Sequence, residues 1–140
     1  MTQELLLKDL CARLPYGVKF ACNKNIYTAK GLDLIVTDEG DWEYAVTAKG
    51  IAPIEIDFIK PYLFPLSSMT EEQKEKLKNE ISKQTDILIE RMKNDDCGID
   101  CGKYHFHSLL ELEWCIKNHF DYRGLIPMVL AIDATGLNIY

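Results

Sequence analysis

The sequence predicts an α+β fold on three observations. Residues 15–66 contain short runs of alternating apolar and polar residues separated by Gly, Asn and Asp turns, which is typical of antiparallel strands. Residues 70–140 carry apolar residues at helical spacing behind capping boxes, and residues 1–14 share that spacing. We therefore expect a single domain over 1–140, with an N-terminal helix, a small curved antiparallel meander and a helical C-terminal half packed on it.

The N-terminal helix is predicted to begin after Thr2, which is a suitable N-cap residue. Leu6, Leu10 and Cys11 follow at helical spacing and are expected to face the core. Pro15 ends the helix, because a residue that precedes proline is disfavoured in the α conformation.

Three strands are predicted next, over residues 18–22, 26–37 and 42–48. A fourth segment, 54–59, is predicted to be extended or a short helical piece. Gly31 interrupts the second segment, and a glycine inside a strand often marks a bulge. The acidic sequence 38–41 is a hairpin turn. So short a meander either closes into an SH3-like barrel, which limits exposed strand edges, or stays an open sheet covered by the helices.

An apolar linker between two prolines, residues 61–68, follows the strands. Because exposed linkers are seldom so apolar, Leu63, Phe64 and Leu66 are expected to pack where the two halves meet. Such packing would make the chain one integrated domain.

Two capping boxes predict two helices in the second half of the chain. The first, Thr70 to Gln73, opens a helix that runs to about residue 93. The second, Ser108 to Glu111, opens a helix through residue 120. Asp121 could cap a further short helix. A buried Arg123 could hold Asp121 or a nearby carboxylate bidentately and fix this last corner, a structural role that we favour over a substrate clamp.

Composition and charge narrow the function classes. The formal net charge is −6, which argues against a large phosphate-binding surface and makes nucleic acid an unexpected partner. The longest apolar run, 125–132, is far shorter than the roughly 20 residues of a membrane span. With no secretory signal and an odd number of cysteines, the chain is expected to be soluble and cytoplasmic, with reduced thiols and no membrane partner.

One local cluster could bind metal. Cys97, Cys101, His105 and His107 supply four zinc ligands within a short stretch. Their spacing is not one of the usual zinc patterns, so an inter-helix loop with two free thiols and two surface imidazoles is the competing interpretation. Nucleophilic catalysis would need a cysteine beside an imidazole, and no local signature supports such a pair, so no catalytic residue is predicted.

Three aromatic residues in the strand region, Tyr27, Trp42 and Tyr44, could form a binding surface for peptides or single-stranded nucleic acid. Alternation places Trp42 and Tyr44 on one face of their strand. Such a face more often belongs to the core, and we give the core interpretation the greater weight.

Three blocks resemble a family of small uncharacterised proteins from gut anaerobes and their phages or prophages. The blocks are KDLCARLPYGV at 8–18, KPYL with PLSSMT at 60–70, and HFDYRGLI at 119–126. The resemblance implies a shared fold and a mobile-element setting, and it brings no activity, ligand or site residue.

The function expected from the sequence is non-catalytic binding, with protein as the favoured partner and no cofactor. This expectation rests on the small β unit and on the absence of a catalytic constellation, since fold alone does not give function. A zinc protein using the cysteine–histidine cluster and a single-stranded nucleic-acid binder using the strand face are the alternatives. The apolar end of the sequence leaves a homo-oligomer open.

Overall fold

A computed structural model describes residues 2–92 and 99–140, the side chains at 88–89, 91–92 and 99–107 excepted. The helices are α1 Thr2–Arg13, α2 Glu71–Met92 and α3 Ile99–Lys117. The strands are β1 Lys19–Cys22, β2 Asn25–Val36, β3 Trp42–Ala48, β4 Ile54–Glu55, β5 Lys60–Leu63 and β6 Ile132–Asp133. The predicted α+β class, with an N-terminal helix, a curved sheet and later helices, is confirmed.

The six strands form one open sheet in the order β4-β3-β2-β1-β5-β6. All neighbours are antiparallel except β5 and β6, which run parallel. Of the two predicted arrangements, the open sheet is present and the SH3-like barrel is not. The two edge strands, β4 and β6, are each two residues long and lie at opposite edges, so they do not pair and close a barrel.

The β2–β3 hairpin dominates the sheet. Its register shifts between Ala29 and Gly31, which confirms the predicted bulge. A Cβ atom at Gly31 would lie 3.1 Å from the Oγ1 of Thr47, so a residue without a side chain suits this close approach of the two strands.

The core lies between α1 and one face of the sheet. α1 contributes Leu6 and Leu10, which are 3% and 0% exposed, and each such buried side chain stabilises the fold by roughly 1.5–3 kcal/mol. The sheet and the segments around it contribute Val18, Phe20, Cys22, Ala29, Val46, Ile56, Ile59, Leu63, Leu125 and Ala131. Cys11 is exposed, so its predicted place in the core is wrong: the buried stripe of α1 is narrower than the spacing suggested.

The predicted linker begins as a strand, because β5 pairs with β1 and β6. Leu63 is fully buried, as expected. Phe64 packs on Phe120 with ring centroids 5.9 Å apart and forms a parallel bridge to it. Leu66 is 47% exposed, so its predicted burial is wrong: it begins a 3-10 helix, Leu66–Ser68, that carries it off the sheet.

The first capping box is confirmed. The backbone N–H of Gln73 donates to the Thr70 hydroxyl at 3.2 Å, and the Gln73 side chain accepts from the Thr70 backbone N–H at 2.9 Å. The second is wrong, because α3 already begins at Ile99 and Ser108 lies inside it. In the part of the chain that the structure describes, no helix combines the length and apolar character needed to span a membrane.

Between α3 and β6 the described chain is irregular, so the predicted further helix is also wrong. His119 adopts a left-handed φ of 63°. Phe120 donates its N–H to the carbonyl of Cys115 and His119 to that of Ile116, which is a Schellman ending. Asp121 does not start a helix, but its carboxylate accepts from the backbone N–H groups of two residues in the following turn, at 2.8 and 2.9 Å.

Candidate functional site

The most exposed group of large apolar residues on paired strands lies at the far end of the β2–β3 hairpin. Leu34 pairs with Tyr44, and Val36 pairs with Trp42, so all four side chains share one face of the sheet. Trp42 is 70% exposed, and the other three are about half exposed. We call these four residues, Leu34, Val36, Trp42 and Tyr44, the hairpin patch.

The patch is exposed because the hairpin extends past the core. The next pair on the same face, Leu32 and Val46, already contacts the core, and Val46 is fully buried. The core interpretation given to Trp42 and Tyr44 is therefore wrong. Alternation assigned the face correctly, but it could not show where along the strands the covering layer ends.

Tyr27 is not part of the hairpin patch. It lies near the opposite end of β2, where its ring packs on Phe20 with centroids 5.7 Å apart. There it lines a cavity of about 400 Å³ together with Ile54 and Phe58. The structure thus separates the three aromatic residues that the sequence grouped as one candidate surface.

The charged residues of the hairpin that lie nearest the hairpin patch in sequence are acidic. Residues 31–48 contain five acidic residues and no lysine or arginine, and the basic residue of β2, Lys30, comes just before them. The turn between the strands carries three of them, Asp38, Glu39 and Asp41. The hairpin patch is therefore apolar at its centre and negative at its rim.

A larger cavity, of about 700 Å³, lies between α2 and α3. Lys76, Lys83 and Lys117 line it together with Glu80 and Glu113. Such a mixture of opposite charges selects neither an anion nor a cation.

The predicted zinc site lies outside the described residues. Cys97 is not described, and neither are the side chains of Cys101, His105 and His107. The backbone over 99–107 is helical, so the inter-helix loop of the competing interpretation is wrong there. Over the side chains that the structure does describe, no group of three or more His, Cys, Asp or Glu residues is placed to hold a metal ion.

Two residues considered for thiol chemistry lie in the core near the end of α3. Cys115 is 8% exposed, and its burial raises the pKa of the thiol, which disfavours the reactive thiolate. His119 is 7% exposed, and burial, followed by the charges of Arg13 and Lys19, lowers its pKa to about 4. These shifts favour the uncharged forms of both groups, as in a packed interior.

A buried charge cluster was missed by the sequence reasoning. Asp9 and Arg13 are fully buried on α1, and the Arg13 Nε donates to an Asp9 carboxylate oxygen at 2.7 Å. The Nε of Arg123 lies 3.5 Å from the other oxygen of Asp9. Arg123 thus lies near a carboxylate, but through a single long contact rather than the predicted bidentate pair. The group that holds the end of α3 is Arg13. The available signal was an acid and a base four residues apart within an apolar helix face.

Comparison of the chain with protein-family models, with curated proteins and with solved structures gives no match. The resemblance based on the three sequence blocks therefore stays a prediction. The geometry and charge of the described surface therefore support the proposal for its function.

Proposed function

We propose that this protein is a non-catalytic binding protein whose hairpin patch binds a basic region of a protein partner. The observation that carries the proposal is the exposure of Trp42, at 70%, within an apolar cross-strand group. Clustered apolar residues on a surface are typical of interaction sites, and Trp and Tyr supply a large share of binding energy at such sites.

The acidic rim selects the class of partner. A basic surface is attracted to it, whereas a phosphate backbone is repelled, so single-stranded nucleic acid is disfavoured at this site. A second copy of the chain is disfavoured for the same reason. A symmetric contact through the hairpin patch would bring together two hairpins that each carry the acidic residues Asp38, Glu39 and Asp41, which is electrostatically unfavourable.

The remaining predictions from the sequence are separate proposals. Zinc binding through the cysteine–histidine cluster is tested by elemental analysis of protein purified without chelator. A cytoplasmic location and a mobile-element setting are further proposals that rest on the sequence alone. None of them is needed for binding at the hairpin patch.

The direct test is selection of binders from a random peptide display library. The chain carries two tryptophans, so a Trp114→Phe variant leaves Trp42 as the sole indole fluorophore. We expect enriched peptides to be rich in Lys, Arg and apolar residues, to shift the Trp42 emission to shorter wavelength, and to bind more weakly as salt rises.

Two variants provide the comparison. The double substitution Trp42→Ser with Tyr44→Ser should abolish binding by the selected peptides. Leu109→Ser, at a residue of α3 that is 62% exposed, removes an equally exposed apolar side chain elsewhere and should leave binding unchanged. Equal binding by the double variant, or enrichment of acidic peptides, would refute the proposal.

A further inference from the structure

We propose that the partner binds as an extended strand added to the free edge of β3 at Trp42–Tyr44, with apolar and basic side chains in alternation. This inference rests on the proposed function and specifies how the hairpin patch is used. Strand addition is a common mode of peptide recognition, in which backbone hydrogen bonds give affinity and alternate side chains give specificity.

The outer edge of β3 is only partly covered. β4 pairs with Ala45 and Val46, and no other pairing on that side is present in the described parts of the chain. If β4 continued in the same register, the residue after it, Ile56, would lie opposite Tyr44. Ile56 instead begins a 3-10 helix, Ile56–Phe58, and is fully buried. This helix contacts β3 without pairing with it, so strand pairing on this edge stops where the hairpin patch begins.

The alternation of hydrogen bonds between β2 and β3 leaves the backbone groups of Trp42 and Tyr44 available for an added strand. The N–H of Thr37 donates to the carbonyl of Asp41 at 2.8 Å, which marks these residues as a hydrogen-bonded pair. Because bonded and non-bonded pairs alternate along an antiparallel ladder, Glu43 directs its backbone groups toward β2. Trp42 and Tyr44 therefore direct theirs toward the free edge. The two aromatic residues of the hairpin patch are also the residues with outward backbone donors and acceptors.

The two faces of the sheet at β3 carry different side chains. This difference determines which residue types the added strand should present on each face. On one face a partner side chain would lie beside Trp42 and Tyr44, which favours an apolar residue. On the other face it would lie beside Glu43, with Asp33 and Glu55 on the same side by register. Three carboxylates on that face favour Lys or Arg. Side chains alternate between faces along a strand, so the complementary sequence alternates apolar and basic residues.

The test uses the full-length Trp114→Phe protein and a short synthetic peptide in which Lys alternates with Val. Amide hydrogen exchange measured by NMR should slow by about tenfold or more at the backbone N–H groups of Trp42 and Tyr44 when the peptide is present at saturation. Exchange at Glu43 and Ala45, which are already bonded to β2, should change little. A peptide with Glu in place of Lys serves as the charge control and should not bind.

Backbone methylation of the peptide gives a second measurement. Methyl groups on the alternate amides that face β3 should weaken binding by about fivefold to tenfold each, whereas methyl groups on the intervening amides should have little effect. Side chains are identical in the two series, so only backbone pairing separates them.

These experiments distinguish binding at the hairpin patch from strand addition to β3. Strand addition is overturned if a peptide shifts the Trp42 emission while the N–H groups of Trp42 and Tyr44 exchange at their free rate and both methylated series bind equally. Binding at the hairpin patch would then stand without strand addition. Absence of any emission shift, both with this peptide and with the selected library, would overturn both proposals.

Discussion

The guanidinium of Arg13 donates to the backbone carbonyl of Phe120 at 2.6 Å, although the two residues are 107 positions apart in the sequence. The same guanidinium lies 3.5 and 3.4 Å from the carbonyl oxygens of Cys115 and Ile116. The last carbonyls of a helix have no partner within the helix, and a cation placed there satisfies them. Arg13 therefore ties α1 to the end of α3.

Arg13 is expected to be one of the most sensitive positions for stability. Replacing it with Met leaves Asp9 as a fully buried carboxylate that has lost its closest partner, which typically costs about 3–5 kcal/mol. Urea denaturation followed by circular dichroism measures this loss. Lys8→Met is the matched control, since Lys8 is on the same helix and its ion pair with Glu4 is exposed.

The Lys8 variant should unfold close to the wild-type urea midpoint. A loss below about 1 kcal/mol for Arg13→Met would contradict the account, because it would make the buried pair no more important than an exposed one.

His119 should make the stability depend on pH in a defined window. Its pKa is about 4 in the folded protein and 6.5 as a free side chain, so between these values the unfolded state binds more protons. This contribution to the free energy of unfolding is therefore fully present above pH 6.5 and is lost as pH falls, by about 3 kcal/mol at pH 4.

The change His119→Asn isolates the effect, because asparagine tolerates the left-handed conformation and does not titrate. The free energy of unfolding is measured for both proteins from pH 7 to 4. Carboxylates contribute equally to both, so the difference between the two curves reports His119. We expect the free energy of unfolding of the wild type minus that of the variant to fall by about 3 kcal/mol from pH 7 to pH 4. Parallel curves would exclude this role.

Local signals predicted some of the local elements. The Thr70 and Gln73 pair is a complete capping box in sequence and in structure, and the bulge at Gly31 occurs where a glycine interrupts a strand pattern. β6 is different, because two residues gain strand geometry only by pairing with β5, a segment far away in sequence. No local pattern carries that information.

The same distinction applies to the candidate site. Alternation correctly placed Trp42 and Tyr44 on one face, but burial depends on whether another element covers that face. The hairpin continues past the last pair that contacts the core, Leu32 and Val46. How far the covering layer reaches along a strand depends on tertiary packing and not on the local pattern. Arg13 illustrates the reverse case, since a charged residue near a helix end is usually solvated and becomes buried only when its partners converge from a distant segment.

The N-cap of α2 provides a prediction at the level of one helix. Thr70→Ala removes the hydroxyl that accepts from the Gln73 N–H and should cost about 1 kcal/mol. Thr70→Ser keeps the hydroxyl and should be nearly neutral. Thermal unfolding measures both variants, and an equal change in the two would show that the methyl group, rather than the cap, matters.

Trp42 and Phe20 form a matched pair of aromatic strand residues with opposite surroundings. Phe20 is fully buried, so Phe20→Ala should destabilise the protein by about 3–5 kcal/mol through lost burial and a cavity. Trp42→Ala removes a larger but 70% exposed side chain and should change the stability by less than about 1 kcal/mol. The remaining indole of Trp114, stacked on Phe120, reports unfolding in both variants. A loss at Trp42 as large as that at Phe20 would mean that the Trp42 ring is packed in the folded protein, and the hairpin patch would lose its central residue.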